Sequence, residues 1–210
     1  MRFYFVGWEN SCIFAFGNMI QIEKHPLQPF LPPNARLLML GSFPPPKRRW
    51  AMDFFYPNFS NQMWQVFGLV FFGDADHLIN KDTRTFKQSD IQALLEERGI
   101  AIYDTACAVR RLSGNASDKD LQIIEKTDIT ALLARIPCCH DIVCTGQKSF
   151  SVLTEDYGVP VPQMGTYNEF TLADRPMRLW RMPSSSRAYP MKLDEKAKYY
   201  HKMMKTIGIL

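Results

Sequence analysis

The amino-acid sequence predicts an α/β fold, a three-layer α/β/α sandwich with a central, mainly parallel four-stranded sheet. Three observations lead to this prediction. Four short apolar runs have the composition of strands that are buried on both faces. Segments with helical spacing separate these runs, and such alternation indicates parallel crossover connections. The chain of 210 residues, 46% hydrophobic and 22% charged, is also long enough to close one sizeable core.

The predicted strands are residues 35–40, 100–103, 141–145 and 177–182. The predicted helices between them are residues 89–98, 128–135 and 147–157. Residues 170–172 and 177–182 flank a turn-like Ala-Asp-Arg-Pro sequence, so a hairpin precedes or includes the last strand. A further helix is predicted over residues 192–205, with its core face at Ala197, Tyr200, Met203 and Met204. Its lysines are predicted to be exposed, namely Lys196, Lys198, Lys202 and Lys205.

The first 18 residues are aromatic and apolar but are interrupted by Glu9 and Asn10. They make a poor export signal and are too short to span a membrane. We therefore expect residues 1–18 to be an appendage to a single domain over residues 19–210. The balance of 25 Lys and Arg against 21 Asp and Glu is mildly basic, which permits a nucleic-acid partner. These features predict a cytoplasmic monomer that does not contact membranes.

Metal and cofactor sites are not predicted. The five cysteines are scattered without C-x-x-C spacing and are interpreted as reduced core thiols. The histidines have no metal-site or triad spacing, so structural or surface roles are expected for His25, His77, His140 and His201. Phosphate-loop, dinucleotide-binding and nucleophile-elbow motifs are absent from the sequence.

Ligands of open parallel sheets collect at the carboxyl ends of the strands, which makes four loops candidates for the site. These loops begin at Gly41, Asp104, Thr145 and Pro183. The last is the most informative, because prolines stiffen it and its serine hydroxyls and one cation suit phosphate oxygens. It consists of Pro183, Ser184, Ser185, Ser186 and Arg187. The alternative interpretation is a Ser-rich connecting turn.

Four motifs in order carry a resemblance to a known family. They are Gly41-Ser42-Phe43-Pro44, then Phe54-Phe55-Tyr56-Pro57 leading to Asn61-Gln62-Met63-Trp64, then Asp104-Thr105 with Ser-Gly-Asn-Ala-Ser at residues 113–117, and finally Pro183-Ser184-Ser185-Ser186. From about residue 37 onward, the chain resembles the uracil-DNA glycosylase superfamily, most closely its mismatch-type and hypoxanthine-DNA glycosylase branch. The resemblance implies hydrolysis of the N-glycosidic bond of a damaged base that is flipped out of DNA.

The resemblance also implies roles for residues that would hold the base. Phe55 or Tyr56 would stack on it, although both could be core aromatic residues. Asp104 occupies the position where many relatives carry an Asn that reads uracil. An ionised carboxylate only accepts hydrogen bonds, so this change disfavours plain uracil. It suits hypoxanthine, another deaminated base, or a catalytic role in which Asp104 is protonated or orders water. The alternative for Asp104 is a cap of the turn before Thr105.

The chemical step is the least typical part of the sequence. Where many relatives place a water-orienting Asp or Asn, this chain has Phe43. The resemblance to the hypoxanthine branch instead points to Asn61, with Asn58 and Asp53 as secondary candidates; the alternative for Asn61 is a helix N-cap.

A second atypical position is the start of the last motif. A leaving-group histidine found there in several relatives is replaced here by Met182. Backbone N–H groups of Ser42 and Phe43 would then stabilise the departing base.

The remaining predicted contacts are to DNA. Ser184, Ser185 and Ser186 would hold phosphates beside the flipped nucleotide, and Arg187 would fill the gap in the base stack or bind a phosphate. A second basic patch contains Lys47 and Arg48, followed by Arg49 and Trp50. A third, Arg110-Arg111, is equally interpretable as a solvated loop.

These observations predict a monofunctional DNA glycosylase that removes uracil or hypoxanthine from DNA containing a damaged or mismatched base. Two alternatives remain open at this stage. One is a catalytically degenerate nucleic-acid-binding protein of the same fold, and the other is a nucleoside or nucleotide hydrolase.

Overall fold

A computed structural model of the protein describes residues 21–112 and 120–210. In chain order its strands are β1 (Ile22–Lys24), β2 (Leu37–Gly41), β3 (Ile79–Asn80), β4 (Thr85–Phe86), β5 (Ile100–Asp104), β6 (Ala106–Arg111), β7 (Leu121–Lys126), β8 (Asp141–Cys144), β9 (Tyr167–Leu172) and β10 (Arg175–Arg181). The helices are α1 (Met63–Phe72), α2 (Gln88–Arg98), α3 (Ile129–Arg135), α4 (Gln147–Tyr157) and α5 (Leu193–Ile207), with a 3-10 turn at Lys47–Arg49. The predicted appendage at residues 1–18 and the motif at residues 113–117 lie outside the described residues.

The central sheet has the strand order β5-β2-β8-β10-β9. Its first four strands are parallel, whereas β9 pairs antiparallel with β10. Every residue of β2, β5 and β8 is buried, so both faces of these strands are covered. The α/β class is thereby confirmed, but the predicted count of four strands is wrong. Strand β9 was not recognised as a full strand because it alternates exposed and half-buried positions instead of forming a continuous apolar run.

The predicted hairpin at the end of the sheet is confirmed and consists of β9 and β10. Its two turn residues, Ala173 and Asp174, both have left-handed backbone angles, with φ of 51° and 59°. Such a turn matches the twist of the strands that it joins. Strand β10 is also tied to β8, because Trp180 Nε1 and an Arg178 guanidinium nitrogen donate to the two oxygens of Asp141 at 2.6 and 2.7 Å.

The helices follow their predicted bounds closely. Helix α4 begins and ends where its spacing predicts, and α3 begins after Asp128, whose carboxylate accepts the Ala131 N–H at 2.9 Å. Helix α5 buries its predicted face against α1. The expectation of exposed lysines on α5 is wrong for Lys196, which is fully buried.

A second sheet was not predicted. It is antiparallel, with the strand order β1-β6-β7. A single residue, Thr105, separates its strand β6 from β5 of the central sheet. Val109 and Leu121 of this sheet form a separate hydrophobic cluster with Phe43. Strand β1 is only three residues long and mostly exposed, so its sequence shows no clear alternation.

Among the described residues, no helix is long and apolar enough to cross a membrane. The described cysteines, Cys107, Cys138, Cys139 and Cys144, are free thiols. The interpretation of the cysteines as core thiols is confirmed for Cys139 and Cys144, which are buried, and is wrong for Cys138, which is exposed. Burial raises the pKa of the Cys139 thiol to about 12, so this residue is a core thiol and not a reactive one.

Tyr200 of α5 provides a test of the packing between this helix and the loop after β10. Its buried hydroxyl donates to the Pro183 carbonyl at 3.1 Å, and burial raises the pKa of Tyr200 above its ordinary value of 10.0. At a pH above about 10, the phenol therefore stays neutral in the folded protein, whereas it ionises in the unfolded chain. The stability that this residue contributes is present below the unfolded pKa and is lost as pH rises above it.

We expect Tyr200→Phe to lower the free energy of unfolding by about 1 kcal/mol at neutral pH, because the Pro183 carbonyl loses its donor. Above about pH 10 the stability of the variant should decline less steeply than that of the wild type. Urea unfolding at neutral and alkaline pH measures both effects. Equal alkaline declines in the two proteins would contradict the burial argument.

Candidate active site

A cavity of about 700 Å³ opens at the carboxyl ends of the parallel strands. All four predicted loops contribute to its wall, and residues 55–61 complete it. The lining comprises Gly41, Ser42, Phe43, Pro44, Pro45, Arg49, Phe55, Tyr56, Pro57, Asn58, Ser60, Asn61, Asp104, Thr145, Gly146, Ser184, Ser185, Ser186, Arg187 and Ala188. Its volume is in the range of small-molecule binding sites. Segments far apart in sequence therefore converge on one concave surface.

Asp104, the last residue of β5, supplies a carboxylate to this cavity while being only 7% exposed. Its Oδ2 lies 2.9 Å from His25 Nε2. Its Oδ1 lies against Gly41, where an added Cβ would approach this oxygen to 2.2 Å, so a side chain at position 41 would displace the carboxylate. The turn that follows does not use this carboxylate, because the Thr105 N–H donates to the Gly41 carbonyl. Asp104 is thus held by His25 and is not a turn cap.

His25 is a site-adjacent residue that sequence reasoning missed. Its side chain is 2% exposed, and its ring packs against the rings of Phe43, Tyr103 and Phe55, with centroids 5.3, 4.6 and 6.2 Å apart. Its Nδ1 lies 2.9 Å from the Leu27 carbonyl oxygen. His25 thus links the Asp104 carboxylate to an aromatic wall. No local signal could reveal this contact, because 79 residues separate the two partners.

The two candidates for stacking on a base, Phe55 and Tyr56, both border the cavity, and Phe55 also belongs to the hydrophobic core. Phe55 is 3% exposed and packs edge-on against Phe54 at 5.1 Å. Tyr56 has a left-handed backbone with φ of 50°, which is strained for a residue with a side chain. Its hydroxyl lies 2.9 Å from Thr145 Oγ1. Burial, together with the nearby negative charge of Asp104, raises the pKa of Tyr56 well above 10.0, so its phenol stays neutral and keeps a proton to donate.

The three candidates for orienting the attacking water, Asn61, Asn58 and Asp53, lie at different places relative to the cavity. Asn61 borders the cavity, and its Oδ1 also accepts the Met63 N–H at 2.8 Å. Asn61 lies one residue before Gln62, the N-cap of α1, and no side chain of the described residues caps this helix, so the helix-capping alternative for Asn61 is wrong. The Asn61 side chain instead stabilises the turn that leads into α1. Asn58 also borders the cavity, with its Oδ1 accepting the Ser60 N–H at 2.9 Å. Asp53 is exposed, pairs with Lys47 and does not belong to the lining.

The serine-rich loop forms the rim. Ser184 Oγ accepts the Ser186 N–H, and Ser186 Oγ accepts the Ala188 N–H, both at 3.2 Å. A hydroxyl that accepts from the backbone keeps its own O–H for a ligand. Ser185 is only 2% exposed, whereas Arg187 is exposed at the rim. Pro183 is buried and lies outside the lining.

The second basic patch, Lys47-Arg48-Arg49-Trp50, reaches the cavity through Arg49. Arg49 belongs to the lining, whereas Lys47 and Arg48 do not. Lys47 pairs with Asp53 and lies 3.9 Å from the centre of the Trp50 ring. Arg49 is therefore the residue of this patch that could contact a ligand in the cavity.

The third basic patch is partly structural. Arg111 donates to Glu23 at 3.0 Å and to the Pro44 carbonyl at 2.6 Å, and its guanidinium lies 5.7 Å from the centre of the Phe43 ring. Because its side chain is held in this way, it braces the Phe43-Pro44 wall. The solvated-loop interpretation is therefore wrong for Arg111.

Two positions that the sequence analysis marks as atypical, Phe43 and Met182, carry apolar side chains. Phe43 borders the cavity and is 8% exposed, and Met182 is part of the core at 4% exposure. Among residues 21–112 and 120–210, no group of three or more metal-ligating side chains could hold an ion. The polar side chains that line the cavity include Asp104, Asn61, Tyr56 and Thr145, together with the serines of the rim.

No protein-family model and no curated protein matches this sequence. Among solved structures, the chain is similar to the solution NMR structure of a "putative Uracil DNA glycosylase" from Methanosarcina acetivorans. The TM-score is 0.57 at 19% sequence identity, over 88% of this chain and 99% of that chain. The likeness extends over nearly all of both chains and is a likeness of fold.

The His25–Asp104 pair gives a test of how the carboxylate is held. Removing one partner of a buried pair leaves the other without compensation, so we expect His25→Phe to lower the free energy of unfolding by about 3 kcal/mol. In an Asp104→Asn background the same change should cost less, because a neutral amide does not need a polar partner as strongly.

A double-mutant cycle by urea unfolding measures this coupling. His201→Phe, at an exposed position of α5, is the control and should change stability by no more than about 0.5 kcal/mol. Strictly additive effects of the His25 and Asp104 substitutions would show that the two side chains do not support each other.

Proposed function

We propose that the protein is a monofunctional DNA glycosylase that hydrolyses the N-glycosidic bond of a flipped deaminated base, uracil or hypoxanthine, during base-excision repair. One observation carries the proposal: the separated motifs converge on a single cavity with a buried carboxylate in its wall and serine hydroxyls at its rim. The shared fold with the NMR structure described above supports it further.

The hydrogen-bonding groups of the cavity suit the edge of a deaminated base. Asp104 Oδ2 is engaged by His25, which leaves Oδ1 to accept a base N–H. The hydroxyls of Tyr56 and Thr145 share one hydrogen bond, so one of their two protons remains for a base carbonyl. Uracil and hypoxanthine both carry an N–H next to a C=O group. The arrangement therefore fits either base, with Phe55 or Tyr56 providing a ring for stacking.

In the proposed reaction the bond from C1′ of the sugar to the base nitrogen breaks, and its electron pair leaves with the base as an anion. Water then forms the new bond to C1′, and the proton that it loses is taken up by the departing base anion, which is released as the neutral base. Asn61 orients this water through its amide NH₂ and the lone pair of Oδ1 that Met63 does not use. The backbone N–H groups of Ser42 and Phe43 stabilise the departing base, since the histidine found in several relatives is replaced by the buried Met182.

The rim holds the DNA. Hydroxyl protons of Ser184 and Ser186 donate to phosphate oxygens beside the flipped nucleotide, and the neighbouring Arg187 and Arg49 supply positive charge. Hydroxyl and guanidinium donors of this kind position a duplex without reading its sequence. Recognition of the target is thereby left to the cavity.

The direct test is base release from oligonucleotides that carry uracil, hypoxanthine, xanthine or a mismatched thymine, followed by cleavage of abasic sites with alkali. We expect strand breaks with uracil or hypoxanthine. Binding of DNA without strand breaks would instead support a catalytically degenerate DNA-binding protein, which the apolar Phe43 and Met182 favour. Hydrolysis of free nucleosides without DNA binding would support a nucleoside hydrolase.

Asn61→Ala tests the proposed water site. We expect the single-turnover rate of base release to fall by about 100-fold, a typical loss for one group that acts in the transition state. Loss of the bond to Met63 should also lower stability by about 1 kcal/mol, so thermal unfolding is measured in parallel.

Asn58→Ala is the matched control, because this residue borders the same cavity and also accepts a backbone N–H. Its rate of base release should remain within about three-fold of the wild type. An unchanged rate in Asn61→Ala, or a large loss only in Asn58→Ala, would refute the assignment of Asn61.

A further inference from the structure

Lys196 is a buried cation directly behind the rim of the cavity. It lies on α5 with 0% of its surface exposed, and burial lowers the pKa of its ammonium group. None of the ion pairs found among residues 21–112 and 120–210 includes it. Lys is almost never fully buried unless it is paired, so its position calls for a physical reason.

The ammonium group joins the two sides of the site. Lys196 Nζ donates to Gln62 Oε1 at 2.8 Å and to the Ser186 carbonyl at 2.7 Å. Gln62 is the N-cap residue of helix α1 and directly follows Asn61, whereas Ser186 belongs to the serine-rich rim. The same two segments also meet through the backbone, because the Gln62 N–H donates to the Ser185 carbonyl at 2.9 Å and Asn61 forms a β-bridge with Ser186.

These contacts alone do not account for a charged side chain. Taking an ammonium group out of water costs several kcal/mol. The two neutral acceptors, together with the Tyr189 ring whose centre lies 5.8 Å from Lys196 Nζ, recover only part of that cost. The cost is better explained if the charge acts on an anion that binds nearby. Inside a protein the field of such a charge is screened less than at the surface. Ser186, which accepts from Lys196 through its carbonyl, presents its hydroxyl proton on the rim of the cavity.

We propose that Lys196 is a positioning residue that prepares the rim for one phosphodiester group of DNA. It fixes the Ser184–Ser186 loop against Asn61 and Gln62, and its buried charge attracts the phosphate that the serine hydroxyls bind, without contacting that phosphate. The identity of this anion as a DNA phosphate rests on the proposed function. Arg187, exposed at the same rim, would add charge that solvent and salt screen more strongly.

The test uses a duplex with a tetrahydrofuran abasic analogue, so that binding is measured without base release. We expect Lys196→Met to weaken binding by about ten-fold, because it keeps the side-chain length but removes the charge. Lys198→Met is the matched control: it removes the same charge from an exposed position two residues away on α5. Its binding should change by less than about two-fold.

Duplexes with one neutral methylphosphonate, placed 5′ or 3′ of the analogue, separate an electrostatic role from a purely structural one. The wild type should lose affinity when the phosphate at the rim is neutralised, whereas Lys196→Met should lose little more. If each methylphosphonate weakens binding equally in the wild type and in Lys196→Met, Lys196 has only a structural role and the proposal is overturned. If Lys196→Met does not fold, the wild type still decides the matter: unchanged affinity at both methylphosphonates would overturn it.

The outcomes also separate this proposal from the proposed function. If neutralising the rim phosphate weakens binding by the wild type but hardly weakens binding by Lys196→Met, the role of Lys196 is supported. If no damaged oligonucleotide then loses its base, the glycosylase is refuted. Base release, combined with losses of affinity from Lys196→Met and from the methylphosphonate that simply add, would support the glycosylase and refute the role of Lys196. A wild-type protein that does not bind the duplex would refute both.

Discussion

Parallel pairing of β2 with β5 on one side and with β8 on the other places the carboxyl ends of all these strands at one edge of the sheet. In this register Gly41 lies opposite Asp104. The absence of a side chain at Gly41 lets the carboxylate lie against the backbone of the neighbouring strand. The cavity depends on this pairing, because a shift of one residue would turn Asp104 toward the other face of the sheet.

The smaller sheet supports the site from behind. Strand β1 delivers His25 to Asp104, and β6 delivers Arg111 to the Phe43-Pro44 wall. A buried carboxylate needs a partner, and a wall of prolines and aromatic rings needs an anchor for its backbone carbonyls. The parallel sheet thus determines where the site lies, and the antiparallel sheet holds two of its elements in place.

Several side chains of the site serve structure and ligand together. Asn61 accepts the Met63 N–H in the turn before α1 and also borders the cavity, and Ser184 and Ser186 accept backbone N–H groups while keeping a proton for a ligand. The left-handed backbone of Tyr56 directs its hydroxyl to Thr145 at the cost of local strain. Such double use means that a loss of activity in a variant of these residues must always be compared with its loss of stability.

The sequence by itself determined the features that depend on neighbours along the chain. Continuous apolar runs identified the four parallel strands, and Gly, Pro and Ser residues at their ends identified the loops that line the cavity. It revealed only residues 170–172 of β9, because the rest of this strand has a half-exposed pattern that resembles a loop, and it did not reveal the short strand β1. Only the tertiary structure showed that His25 pairs with Asp104 and that Lys196 lies buried between Gln62 and Ser186, because these contacts join residues separated by 79, 134 and 10 positions. Local patterns report which face of an element is apolar, whereas the partner of a buried polar group depends on how distant elements pack.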